Sequence, residues 1–249
     1  VIVASSRDPR FLSNAFVVAG EEGGPAALID AGAPVEPLLE AVERHRLRPT
    51  HLLLTHRHGD HTLHVETWVG RFGCEVYAHA VEAEHLPFAT RTVSHGAEIQ
   101  VGSLGIRVLH VPGHTAGHAA FVVDDRAVFC GDLLFRGSVG GTVGPGASGF
   151  ADLRRSVLEV LLALPGETTI HPGHMESTTV ARERETNPFV RAWTGRDAVL
   201  ERRCRAVGRP ATLLLRARDY DGGTKCWVRF DDGEEAVVPG SRVAETGPT

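Results

Sequence analysis

The stretch Thr55-His56-Arg57-His58-Gly59-Asp60-His61 brings three histidines and an aspartate together directly after the apolar run Leu52-Leu53-Leu54. Neutral imidazole and carboxylate are the usual ligands for zinc, iron and manganese. Alternate side chains of an extended segment point the same way, so His56 and His58 suit one cation. Asp60 and His61 face another direction once the chain turns into a helix, which suits a second cation close to the first. Gly59 is expected to permit the tight backbone between the two pairs. The bland alternative is a chance surface cluster in a chain with 14 histidines. Crowding titratable groups at the end of an apolar strand has no packing reward, however, because polar groups cost free energy to bury unless they are paired.

Three later stretches repeat the placement of a ligand type at a strand's end. "VPGHTAGH" puts His114 after the apolar run Ile106 to Val111, "FCGDLLF" puts Asp132 after another, and "IHPGHMEST" puts His174 after a third. Several strand-end loops meeting at one rim can assemble a polyvalent site on a rigid frame. An unpaired carboxylate following so apolar a strand as that before Asp132 would be costly. His118, His171, His110 and His64 lie near these motifs and read as supporting or core groups, while His45, His51, His79, His85 and His95 carry no pattern. Cys130 reads as a small buried hydrophobe, and Met175 and Trp68 as core or rim.

The elements that must position these residues follow from periodicity. Asn14 to Ala19 and Ala26 to Asp30 read as a hairpin of buried strands, Pro37 to Arg44 as a helix, and His51 to Leu54 as the next strand. A helix is expected from about His61 to Phe72, ended by Gly73. Strands follow at Glu98 to Val101, Ile106 to Val111, Ala119 to Val123 and Ala127 to Cys130, the last two joined across Asp124-Asp125. The glycine-rich run Arg136 to Gly149 reads as a mobile surface loop and fits no phosphate-binding motif. Leu153 to Leu164 has the pattern of an amphipathic helix, with a strand at Thr168 to His171 and a helix at Ser177 to Arg184. Beyond Asn187-Pro188 an Arg-rich segment, 193–208, reads as a helical linker. Residues 209–249 then read as a small β-rich unit, with strands at Thr212 to Arg218, Cys226 to Phe230 and Glu235 to Val238.

At 249 residues, with 42% hydrophobic and 23% charged side chains, the composition is that of a globular chain able to bury a sizeable core. A formal charge of −5 gives no global reason to bind nucleic acid. Cys74, Cys130, Cys204 and Cys226 form no CxxC pair and signal neither a zinc knuckle nor a disulfide framework. No apolar run approaches a membrane span, and Val1 to Arg7 lack the basic start and long apolar core of a signal peptide. A cytoplasmic protein with no membrane partner is the expectation, with a homodimer possible. Nearly all its basic residues are arginine, and Lys225 is the single lysine.

HxHxDH followed by His114, Asp132 and His174 in this order resembles the metallo-β-lactamase superfamily. The resemblance covers roughly residues 14 to 190 and rests on a motif set far more specific than a lone HxH. It implies an α/β fold, the four-layer αββα sandwich, over residues 1–192, with the C-terminal unit resembling a small SH3-like or Tudor-like barrel. It further implies His56, His58 and His114 on one metal, Asp60, His61 and His174 on a second, and Asp132 bridging both. Two divalent ions follow, zinc first and iron or manganese as alternatives. Such a pair lowers the pKa of a bridging water and polarises a carbonyl, with Asp60 and Asp132 as the catalytic carboxylates. The run "GDLLFRGSVGG" and the segment ending Glu185-Thr186-Asn187-Pro188-Phe189 are similar to glyoxalase II, which implies a hydroxyacyl thioester or related ester as small-molecule substrate. Thr62-Leu63-His64 and Gly140 to Gly144 depart from that family's pattern, and the helical region that grips glutathione in the longer enzymes has no counterpart here. Persulfide dioxygenases share much of the ligand set with a single iron and use O₂, and quorum-signal lactonases are a third possibility. The lactonases use a tyrosine near the metals, and neither Tyr77 nor Tyr220 stands at a motif. From a different class, the C-terminal unit could bind peptide or nucleic acid, although scattered arginines on an acidic chain lack the expected basic stripe.

Overall fold

The computed structural model describes residues 1–245. Two six-stranded sheets face each other. The first runs Ile2–Arg7, Asn14–Ala19, Pro25–Ile29, Arg48–Leu53, Glu75–His79, Arg91–Val93, antiparallel over its first three strands and parallel thereafter. The second runs Thr178–Thr179, Thr169–Pro172, Ala127–Gly131, Ala119–Val123, Leu104–His110, Glu98–Val101.

Strand alternation explains why the central strands are apolar at every position. Phe16 and Val18 point into the space between the sheets, where they meet Val108, Phe121 and Phe129. Ala15, Val17 and Ala19 on the same strand point outward, into the cluster that holds Leu38 and Val42 of helix Glu36–Arg44 and Trp68 of helix Val65–Phe72. In the second sheet Phe121 and Val123 face inward. Ala120 and Val122 face the layer built from Phe150–Arg155, the π-helical turns Ser156–Leu161 and helix Pro188–Trp193. Helices cover both outer faces, which is the αββα sandwich.

Three local expectations are corrected. The helix expected from His61 to Phe72 forms as Gly59–Thr62 and Val65–Phe72, broken at Leu63-His64 because the amide of His64 bonds to the carbonyl of Ala31. Gly59 needs no special conformation: a methyl group there would meet nothing. The glycine the motif requires is Gly32, where a Cβ would lie 1.5 Å from the carbonyl oxygen of Asp60. The run Arg136 to Gly149 is a surface loop only in its second half, where Val143 to Pro145 and Ser148 are exposed. It contains strand Ser138–Val139, and Thr142 exchanges bonds with Val237, its amide to the carbonyl and its hydroxyl from the amide, both at 2.9 Å.

The helical linker expected over residues 193–208 does not form. Helix Pro188–Trp193 ends there, and Arg202–Ala206 is a strand, so the β-rich unit begins about seven residues before 209 (209 − 202 = 7). The physical reason is a period of two that the arginine content hides. Cys204 and Ala206 are buried while Arg203 and Arg205 are exposed, and Arg203 pairs with Asp231 on a neighbouring turn at 2.8 Å. The unit is a five-stranded antiparallel sheet in the order Glu235–Pro239, Thr224–Phe230, Arg209–Arg218, Arg202–Ala206, Val243–Glu245. A single 3-10 turn, Gly240–Arg242, joins the strands at its two opposite edges, so the sheet must curl toward a barrel. It docks on the sandwich through Trp227, stacked 5.6 Å from Phe150, and through the buried Val237. Among the described residues no helix is long and apolar enough to cross a membrane.

Candidate metal centre

The structure brings all seven sequence-derived candidates to one edge of the sandwich, each just beyond the C-terminal end of a strand. His56, His58 and His114 offer ligand atoms within 4.8 Å of one another, as do His56, His61 and Asp132, and Asp60, His61 and His174. Nδ1 of His58 lies 3.1 Å from Nε2 of His56 and 3.0 Å from Nε2 of His114. Nitrogens bound tetrahedrally to one zinc at about 2.0–2.1 Å stand roughly 3.3 Å apart, so these three mark the corners of such a site. Asp132 lies between the two groups: its Oδ1 is 3.3 Å from Nε2 of His61, and its Oδ2 is 3.3 Å from Nε2 of His174 and 3.5 Å from Nε2 of His114. Asp60 Oδ2 stands 3.6 Å from His61 Nε2 and 3.5 Å from His174 Nε2.

Whether these groups fit cations is decided by where the protons sit. His114 Nδ1 donates to the carbonyl of Gly141 at 2.8 Å and His174 Nδ1 to that of Phe11 at 2.9 Å. His58 Nε2 donates to Pro145 O at 3.0 Å and His61 Nδ1 to Asp30 Oδ2 at 2.9 Å. Thr55 Oγ1 gives its own proton to Asp30, so at 3.0 Å it accepts from His56 Nδ1. A carbonyl, carboxylate or hydroxyl oxygen accepts here, so in the neutral form of each ring, the form that binds a cation, the other nitrogen carries the lone pair. Five lone pairs therefore converge with two carboxylates in a buried space. His61 Nε2 and Asp132 Oδ1 are buried and without hydrogen-bond partners, each a cost of about 1–3 kcal/mol if nothing positive lies between them. The donor set fits two divalent cations.

Burial pushes the His114 imidazole down to about 4 and drives His56 and His118 well below the ordinary histidine value. Burial alone would raise the Asp132 carboxyl, but the imidazoles of His174 and His61 facing it hold it well below the carboxylate range. His61 shows the converse: desolvation opposes its charge, and Asp132 and Asp30 override that to raise it well above.

Sequence reading missed four contributors. Asp30, buried with a positive φ of 55°, accepts from the amide of Thr55 at 2.8 Å as well as from His61. The signal was present, since "LIDAG" ends an apolar strand in a carboxylate as "FCGD" does. Glu82, fully buried, accepts from the amide of Arg57 at 3.1 Å and of Gly117 at 2.8 Å. It thus ties the loop of His56 and His58 to the loop of His114. Tyr220 and Lys225 arrive from the C-terminal unit. The Tyr220 ring stacks on His174, with centroids 4.3 Å apart and planes at 19°. Tyr220 is therefore at the site, although no motif surrounds it. His118 supports the site instead of joining the ligand groups: its Nε2 accepts from the amide of Asp132 at 3.1 Å. His171 stacks on Phe129, and Cys130 is fully buried, its thiol pushed up to about 12 by burial.

A cleft of about 420 Å³ opens beside His114 and Asp132, walled by Phe135, Val143, Pro145 and Tyr220 and reaching Lys225 and Arg242.

Comparison with known proteins agrees with this geometry. The chain is similar to a hydroxyacylglutathione hydrolase of Acidiphilium cryptum, 35% identical over 216 residues, covering 86% of this chain and 85% of that one. Among solved structures it is similar to ETHE1 from Myxococcus xanthus, with 28% identity, a TM-score of 0.66, and coverage of 76% of this chain and 84% of that one. It is also similar to TTHA1623 in a di-iron-bound form, with 37% identity, a TM-score of 0.63, and coverage of 76% of this chain and 100% of that one. The sequence model described as Metallo-beta-lactamase superfamily matches residues 8–174, a span that holds all seven converging side chains, and the chain belongs to that superfamily.

Proposed function

We propose that the chain is a metal-dependent hydrolase that cleaves a hydroxyacyl thioester in the manner of glyoxalase II, with zinc as the first choice of metal. The observation that carries this reading is the convergence of five imidazole lone pairs on either side of Asp132. His56, His58 and His114 would hold one cation, Asp60, His61 and His174 the other, and Asp132 both. Two bound divalent cations supply a water acidic enough to attack at neutral pH and polarise the acyl oxygen. Asp60, the most open of the candidate ligand carboxylates at 24% side-chain exposure, would orient the attacking water by accepting its hydrogen bond. Phe135, Val143 and Pro145 line the acyl group's approach and limit competing water. A thiolate leaves at pH 7 with little protonation, since a free thiol has a pKa near about 8.5, which suits a cleft whose imidazoles are all committed. The identity to the Acidiphilium hydrolase supports the thioester class.

The test is thiol release from S-D-lactoylglutathione by purified protein, with metal content measured on the same sample. Release that stops on chelation and returns with zinc supports the reading; two bound zincs without turnover of any thioester would remove it. One iron per chain, with oxygen uptake on a glutathione persulfide, would instead indicate a persulfide dioxygenase. A lactonase is the second reading, favoured by the Tyr220 ring stacked on His174, and its assay is ring opening of an acyl homoserine lactone. Nucleic-acid binding by the C-terminal unit would show as retention on immobilised RNA or DNA that weakens steeply with salt.

A further inference from the structure

We propose that the C-terminal β unit builds a subsite for a carboxylate on the substrate, formed by Lys225 and Arg242 across the cleft from the metal ligands; this rests on the thioester reading above. The same cleft is lined at one end by His114 and Asp132 and at the other by Lys225 and Arg242. Lys225 is the chain's single lysine and is only 6% exposed. Its ammonium stands 3.0 Å from Asp219 Oδ2 and lies over the rings of Phe135 and Tyr220, at 5.2 and 5.3 Å from their centroids. Asp219 is itself held by the hydroxyl of Ser138 at 2.8 Å, so strand Ser138–Val139 of the sandwich and the Asp219 to Gly223 turn together fix the cation's place.

An ammonium has three N–H donors, and Asp219 engages one side of it. Arg242 stands exposed on the 3-10 turn at the cleft, and its guanidinium has no carboxylate partner among the described residues. Lys225 and Arg242 carry two positive charges against the one negative charge of Asp219, so this end of the cleft is left with one in excess. A monoanion matches that excess. A dianion would exceed it beside Asp219, so the chemistry is that of a carboxylate.

The test uses full-length, zinc-loaded protein and matched thioesters. One pair places the group on the thiol half, S-propionyl-3-mercaptopropionate against its terminal amide. The other places it on the acyl half, the S-methyl monothioester of succinate against its amide. A kcat/KM at least about tenfold higher for the carboxylate of either pair is expected, and the pair that shows it identifies which half is held. Arg242→Gln should reduce that ratio mainly through KM, and Lys225→Gln should reduce it further, while Arg229→Gln on the outer sheet should not. Calorimetry with the thioether S-propyl-3-mercaptopropionate and its amide reads the subsite without turnover, and circular dichroism of each variant reports folding. Equal kcat/KM within both pairs, or a preference that Arg242→Gln and Lys225→Gln leave intact, overturns the subsite. If no thioester is hydrolysed, the thioester reading fails; the thioether then decides the subsite alone, tighter binding than its amide supporting it and equal binding sinking it.

Discussion

Asp30 Oδ2 lies 2.9 Å from Nδ1 of His61, and the same carboxylate accepts from the hydroxyl of Thr55, which in turn accepts from His56. One buried aspartate therefore sets the ring orientation of a ligand in each of the two proposed cation sites. Asp30→Asn should lower zinc affinity by about 10- to 100-fold, the usual cost of losing a hydrogen-bond partner behind a metal ligand. Competition with a chromophoric chelator measures it. Wild-type affinity in this variant would show that the rings are held by packing instead.

Glu82 bonds to two backbone amides on separate loops, at Arg57 and at Gly117. Glu82→Ala strands both in a dry interior, a cost of about 1–3 kcal/mol for each unsatisfied group. The expected result is a clearly lower unfolding midpoint together with weaker binding at the His56, His58 and His114 site. The second effect is read from the visible spectrum of the cobalt-substituted protein, where a loss confined to stability would contradict the clamp.

Gly32 and Gly59 should respond oppositely to alanine. At Gly32 a Cβ would fall 1.5 Å from Asp60 O and 2.9 Å from His61 Cα, so backbone must move and soluble expression or activity should collapse. At Gly59 the space is open, and in helix Gly59–Thr62 the change gains roughly 0.5–1 kcal/mol of helix preference. Thermal melts and thioester turnover of the two variants check both statements. A well-folded, active Gly32→Ala protein would contradict the close approach.

Asp132→Ala removes the carboxylate that stands between His61, His174 and His114. It should lose turnover and one of the two bound cations while keeping its far-ultraviolet spectrum, because the side chain packs against ligands and not against the core. Elemental analysis gives the occupancy, and wild-type turnover in this variant would refute the assignment.

What the chain revealed before folding was whatever is local in it. His56, His58, Asp60 and His61 are neighbours along one turn, and His114, Asp132 and His174 each follow an apolar run whose end is readable, so the seven candidates needed no coordinates. The sandwich was legible for a related reason: strands buried on both faces are apolar throughout, and the helices that cover them carry one apolar stripe. The Arg202–Ala206 strand hid because arginine content suggested a solvated helix while the period-two burial of Cys204 and Ala206 depends on a partner sheet.

Tertiary structure alone decided the rest. Glu82 reaches Gly117 across 35 positions, Asp30 reaches His61 across 31, and Ser138 meets Asp219 across 81. No spacing rule links residues so far apart, because their meeting is set by how sheets stack and where the C-terminal unit docks. Residue type and local rhythm marked the candidate ligands; packing chose their partners and proton positions, and brought Tyr220 and Lys225 to the cleft.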